Sequence, residues 1–301
     1  MSAYSEWKYG LITDAEYKSI CRREEAEDRY YYEHGYYEDE EDEDDVTNTN
    51  YFSPEAMKEY WSVSLFKAFD KCEAAGLAQV EGRYERELTD SLLIGSYVDA
   101  YFSNDLDGFM KAHGDKMFKK NGELLAKFTH ANEIIDRVEE DPLMMDYLQG
   151  DKQVIMTAEL FDVPWKIKMD VFRDGDRIVD LKCVKDFKDI YEDGFGRRSW
   201  VEYWGYDIQG AIYQKVEQIS SGRSEPLPFY IVAVTKEKVP DIKVIRFPQW
   251  YLDSVLKVVE SKLDRFDLVK AGEIEPRRCE VCDYCKISKK LKEPEEFEIE
   301  I

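Results

Sequence analysis

Apolar and polar positions alternate or recur along this chain in blocks, and each block predicts an element. Ser53-Pro54-Glu55 reads as a helix start, with proline at the first helical position. The run Ser62-Val63-Ser64-Leu65-Phe66-Lys67-Ala68-Phe69 leads into a second helix that holds Cys72. Leu92 to Phe102 is apolar at helical spacing, so Asp99 should sit on a helix among buried neighbours. The period then changes to two. Gln153–Leu160, Trp165–Phe172 and Arg177–Cys183 are short β-branched and apolar runs, separated by the turn chemistry of Asp162-Val163-Pro164 and Asp174-Gly175-Asp176. They predict a three-stranded meander.

A long helix is expected from about Trp200 to Ile219. Phe229-Tyr230-Ile231-Val232-Ala233-Val234 is a continuous apolar run, as in the centre of a sheet covered on both faces. A further strand at Val244–Phe247 and a helix over Gln249–Ala271 complete the series. Helices before and after a central mixed sheet imply an α/β (α+β) core, expected to span residues 51–301.

The first fifty residues differ in kind. Residues 6–28 could form a short amphipathic helix, with Thr13 or Asp14 as its N-cap. Between Glu24 and Asp45 thirteen acidic residues face Arg29 alone, so twelve of the chain's 23 net negative charges lie there. So long a like-charged block repels itself and is expected to be a disordered linker, or an arm that mimics DNA and covers a basic cleft. The remainder is still acidic, which argues against a passive DNA-coating protein more than against a metal-dependent enzyme. A nucleic-acid enzyme would have to work through a local basic patch and bound cations. No run of eighteen apolar residues and no basic-then-apolar N-terminal segment occurs, so a cytoplasmic protein is expected. No Walker-type phosphate loop is present, and His34, His113 and His130 are isolated.

Candidate chemistry collects in the meander. Trp165, Ile167, Met169 and Val171 should point one way, and Lys166, Lys168 and Asp170 the other. Across the Asp-Gly turn, Asp180 and Lys182 are two apart and share a face. A hairpin could bring both aspartates and the lysine together. Converging desolvated carboxylates repel unless a cation sits between them, and hard oxygen ligands suit Mg²⁺ or Mn²⁺. The bland alternative is a hairpin with solvent-facing charges. Glu159, on the preceding strand, is a weaker candidate for the same site.

The pattern Asp170, nine residues, Asp180-Leu181-Lys182 resembles the core of the PD-(D/E)XK nuclease superfamily, and within it the RecB and exonuclease VIII-like phage exonucleases. The Ser62–Glu73 segment is similar to that group's first helical motif. Gly95-Ser96-Tyr97-Val98-Asp99 resembles its Gly…His helix, with Asp99 in place of the histidine, and Gln209-Gly210-Ala211-Ile212-Tyr213 its Gln-x-x-x-Tyr helix. The resemblance spans roughly residues 53–290 and implies a restriction-endonuclease-like core. It further implies metal ligation by Asp99, Asp170, Asp180 and the Leu181 carbonyl, with Asp170, Asp180 and Lys182 catalytic and Gln209 and Tyr213 contacting DNA phosphate or bracing the lysine. The activity implied is a Mg²⁺- or Mn²⁺-dependent exonuclease on DNA ends, in phage or mobile-element recombination, with a single-strand annealing recombinase as a possible partner. An endonuclease of the same superfamily and a non-catalytic protein on a nuclease scaffold are the alternatives.

Cys279, Cys282 and Cys285 lie within seven residues, a spacing that points to metal ligation. Three thiols are incomplete for Zn²⁺ or a [4Fe–4S] cluster. The resemblance pairs the trio with a cysteine on an N-terminal helix, here Cys72, in an iron–sulfur staple. Its iron–sulfur members place five residues between the last two cysteines, whereas here there are two. Cys183 adjoins Lys182 but should point to the opposite face.

Overall fold

The computed structural model describes Lys18 and residues 46–85, 87–192, 194, 196–291 and 293. The expected helix over 6–28, apart from Lys18, and the acidic block over 24–45 lie outside the described residues.

Helices α1 (Pro54–Glu59), α2 (Val63–Lys71), α3 (Glu73–Val80), α4 (Asp90–Phe102), α5 (Leu106–His113), α6 (Ala126–Glu139) and α7 (Pro142–Tyr147) precede the sheet. The starts follow from short polar side chains. Ser53 Oγ accepts the Ala56 N–H with Pro54 just inside the helix, Ser62 Oγ accepts from Leu65, and Thr89 Oγ1 accepts from Leu92. Strands β1 (Asp151–Leu160), β2 (Val163–Arg173) and β3 (Arg177–Val184) form the meander, followed by a small hairpin, β4 (Ile190–Glu192) and β5 (Gly196–Arg198). Then come α8 (Trp200–Tyr203), α9 (Tyr206–Ser220), β6 (Phe229–Thr235), β7 (Ile242–Arg246), α10 (Gln249–Lys270) and α11 (Asp283–Ile287).

The main sheet runs β1-β2-β3-β6-β7, with β3 and β6 parallel and the other neighbours antiparallel. This is the mixed sheet flanked by helices that the sequence predicts. One face packs Ile167, Met169, Ile178 and Ile231 against α2, α9 and α10. The other packs Val179, Leu181, Val232 and Val234 against α4, α5, α6 and α7. The apolar run in β6 is buried on both sides because the sheet is covered on both sides.

Two expectations need correction. The single helix expected over 200–219 is broken at Gly205, whose φ of 62° is left-handed and ends α8 before α9 begins. The unbroken alternation expected for β2 also fails. Met169 and Phe172, three apart, pack into the same core, while Val171 packs into the opposite one. The phase slips at Asp170. There the β1–β2 pairing lapses for one position, and the facing Gln153 adopts φ 53°.

Candidate active site

The sheet splits at Asp170. β2 and β3 pair at Val171–Val179, Phe172–Ile178 and Arg173–Arg177 and no further, while β3 continues beside β6 to Val184. The position after the last pair is Asp170 opposite Asp180. Opposed residues on neighbouring strands share a face, so the slip in β2 turns Asp170 to the side of Asp180. The Asp170 carboxylate takes the place of the lost ladder, with Oδ2 accepting the Leu181 N–H at 2.8 Å.

The β2 backbone that β3 leaves behind finds other partners. Lys166 N–H donates to the Trp61 carbonyl at 2.8 Å, the Pro164 carbonyl accepts from Trp61 at 2.7 Å, and the Lys168 carbonyl accepts the Tyr213 hydroxyl at 2.8 Å. On the other lip, Gln209 Nε2 donates to Asp180 Oδ1 at 2.5 Å, and Lys182 Nζ is ion-paired with Asp180 Oδ2. Gln209 and Tyr213, one turn apart on α9, therefore hold one lip each. Both are buried, at 7% and 8% exposure. Gly210 between them makes this approach possible, because a Cβ there would lie 2.7 Å from the Phe229 ring.

Asp180 is 1% exposed and the Lys182 side chain 20%. Burial pushes the Asp170 carboxyl well above the ordinary carboxylate range, and the charges of Asp180 and Asp99 push it further. Asp99, on α4, is raised to about 6, by burial first, with Lys182 opposing and Asp180 adding. Burial works against the Lys182 ammonium, but Asp180 and then Asp170 outweigh it and hold its pKa above the usual lysine value. Three carboxylates and one ammonium thus gather at one place, with Asp180 buried and Asp99, Asp170 and Lys182 half-buried. Such a surplus of negative charge is what a divalent cation relieves, so the donor set fits one.

Two further residues lie beside the cluster. Lys182 Nζ lies 5.2 Å from the centroid of the Tyr206 ring, and Lys67 Nζ lies 5.6 Å from the same ring. Lys67 also donates to the Trp204 carbonyl at 3.0 Å, a group set free by the break at Gly205, and burial and then Lys182 lower its pKa to about 8. Spacing held a signal for Tyr206, three residues before Gln209 on the same helix. Lys67 carried none beyond its helix. Glu159 pairs with Pro164 near the far end of β1 and stays away from the cluster. Cys183 packs into the core opposite the one that Ile178 and Val184 join on β3, where burial raises its thiol to about 11. His130 contacts Glu133 and the Lys236 carbonyl.

The second cluster assembles as the sequence suggested. Cys72, between α2 and α3, meets Cys279, Cys282 and Cys285 at the start of α11, and all four sulfurs lie within 4.8 Å of one another. Among the described residues this is the group whose donor atoms converge so closely. The carboxylates around Asp180 are instead engaged by Gln209, Lys182 and Leu181.

Residues 62–288 match the family described as a PDDEXK-like domain of unknown function (DUF3799). Among solved structures, the chain is similar to a crystal structure from Eubacterium rectale, described as that of a "putative exonuclease". Identity is 45%, over 84% of this chain and 96% of that one, with a TM-score of 0.79. No curated protein matches the chain.

Proposed function

Since the chain belongs to the PDDEXK-like family, we propose that it is a divalent-metal-dependent DNA nuclease, acting as an exonuclease at DNA ends. The observation that supports this reading is the split in the sheet, where Asp170 accepts the Leu181 N–H opposite Asp180 and Lys182 pairs with Asp180. Asp170, Asp180, the Leu181 carbonyl and Asp99 would hold Mg²⁺ or Mn²⁺, which would polarise a phosphate oxygen and acidify a bound water. Lys182, kept as an ammonium by Asp180, donates to the scissile phosphate and orients the attacking water. Gln209 fixes the orientation of the Asp180 carboxylate, and Tyr213 holds β2 at Lys168. With their polar groups turned inward, both serve as positioning residues rather than as direct DNA contacts.

The exonuclease mode draws support from the Eubacterium rectale likeness. A role in phage or mobile-element recombination, beside a single-strand annealing recombinase in a bacterial cytoplasm, rests on the motif resemblance. No helix among the described residues is long and apolar enough to cross a membrane.

The test supplies linear duplex and covalently closed circular DNA with Mg²⁺ or Mn²⁺. Linear DNA should shorten from its ends while circles survive. Lys182→Ala and Asp180→Ala should each slow the reaction by at least about 10²-fold, a usual cost of removing a group that stabilises transition-state charge. Absence of cleavage, or variants as fast as the parent, refutes the assignment. Cleaved circles would make it an endonuclease.

A further inference from the structure

The four-cysteine site has a geometry that decides between ligands. Cys72 Sγ and Cys285 Sγ are 3.6 Å apart, Cys279 Sγ and Cys285 Sγ are 3.9 Å apart, and 4.8 Å spans the whole set. A single tetrahedral ion with bonds to sulfur of about 2.3 Å holds its sulfurs about 3.8 Å from one another. In a [4Fe–4S] cluster each sulfur binds a different iron at a different corner, so the width of the cluster and a bond at either end separate every pair. Sulfurs gathered within 4.8 Å leave no room for that body. The separation is also too long for a disulfide, whose sulfurs bond at about 2.05 Å.

The backbone supports a compact knuckle. Cys282 N–H donates to Cys279 Sγ at 3.3 Å and Cys285 N–H to Cys282 Sγ at 3.4 Å, bonds that favour thiolates. Cys72 and Cys285 are buried beside Ala74 and Ala75, where larger side chains would keep the sulfurs apart.

We propose that Cys72, Cys279, Cys282 and Cys285 bind one zinc-class ion, and that this site is a mononuclear staple instead of the iron–sulfur cluster implied by the motif resemblance. The staple ties α11 to the junction of α2 and α3. Its mechanical neighbour is Glu73, which accepts from Arg265 Nε at 2.8 Å, Arg265 Nη2 at 2.9 Å and the Arg277 N–H at 2.8 Å. The proposal does not depend on the nuclease assignment.

The full chain, purified anaerobically from cells supplied with both iron and zinc, is assayed for metals and for acid-labile sulfide. The expected result is one zinc per chain, no labile sulfide and no visible absorbance bleached by reductant. Exchange with Co²⁺ should give the intense ligand-field bands of tetrahedral thiolate cobalt. Cys72→Ser and Cys285→Ser should lose the zinc, while Cys183→Ser keeps it. If the first two variants fail to fold, stoichiometric zinc release from the parent chain by a mercurial thiol reagent supplies the same reading. Iron with matching sulfide overturns the proposal. So do four free thiols without metal, or zinc retained in a soluble Cys72→Ser.

Discussion

Gly210→Ala pits a local gain against a tertiary cost, and the structure decides which wins. In a helix interior, replacing glycine by alanine stabilises by about 1 kcal/mol. Here the added Cβ would lie 2.7 Å from Phe229 Cδ1, 3.0 Å from Cε1 and 3.3 Å from Cγ. Carbon atoms normally rest about 3.5–4.0 Å apart, so the ring or the helix must retreat by roughly 1 Å. Phe229 is 1% exposed and wedged between Tyr213 and Phe247 at 6.2 and 6.0 Å between centroids, so the ring has nowhere to swing. Overpacking of this kind costs about 1–3 kcal/mol, and the net expectation is a loss of up to about 2 kcal/mol. At about 2–4 °C for each kcal/mol in a domain of this size, the thermal midpoint should fall by several degrees. The larger effect should fall on rate. Moving α9 away from the sheet draws Gln209 from Asp180 and Tyr213 from the Lys168 carbonyl together. A displacement of about 1 Å in positioning groups can cost about 10²-fold. Calorimetry and the linear-DNA assay measure both. The double variant Gly210→Ala with Phe229→Leu, which makes room for the methyl, should recover part of each loss. A raised midpoint with an unchanged rate in Gly210→Ala would refute the account of how α9 is seated.

Two further outcomes concern charge. Glu73 is buried and, despite burial, the bidentate Arg265 pair and the Arg277 N–H hold its carboxyl below the usual range. A depressed carboxylate stabilises above its unfolded pKa of about 4.3 and loses that contribution as pH falls through the folded value. Glu73→Gln should therefore cost about 2–3 kcal/mol at neutral pH, discounted from a fully buried pair because Arg265 is one-third exposed. The deficit should shrink in thermal melts below about pH 4, and an equal deficit at every pH would sink the linkage. Asp170 behaves oppositely, since burial, then Asp180 and Asp99, raise its pKa and make ionisation destabilising at neutral pH. Asp170→Asn, which keeps an acceptor for the Leu181 N–H, should melt higher than the parent in chelator while losing nuclease activity. A lower midpoint at neutral pH would contradict it.

Legibility of the fold tracked how local the determinants were. The three meander strands, the doubly buried β6 and the α10 helix showed their periods because each presents a regular face to a core. The break at Gly205 was hidden, because glycine inside an apolar-periodic stretch reads equally as a tolerated helix residue. The phase slip at Asp170 was equally invisible. Met169, Asp170 and Val171 alternate perfectly as letters, and only the lapse opposite Gln153 turns the carboxylate over. The convergence of Asp170, Asp180 and Lys182 was suggested by the motif resemblance, since their spacing alone reads equally as solvent-facing charge on a hairpin. The inward aim of Gln209 and Tyr213 was not legible, because spacing places a residue on a helix face without saying what lies beneath it. Lys67 reaches the site across a contact with Trp204, 137 residues away, which no local pattern encodes.

The split in the sheet explains why these residue types occur together. A closed ladder between β2 and β3 would occupy the Leu181 N–H and the Lys168 carbonyl with each other's strands and leave no gap between Asp170 and Asp180. Opening it exposes buried backbone groups, each costing about 1–3 kcal/mol if left unpaired. The chain fills those vacancies with side chains that also shape the pocket: Asp170 for Leu181, Tyr213 for Lys168, and the Trp61 backbone for Pro164 and Lys166. Repair of the backbone and construction of the site are thus the same set of contacts. Substituting Tyr213 or Asp170 alters both together, whereas Lys182 repairs no strand, and its removal acts on the fold through the buried Asp180 carboxylate that it leaves without its ion pair.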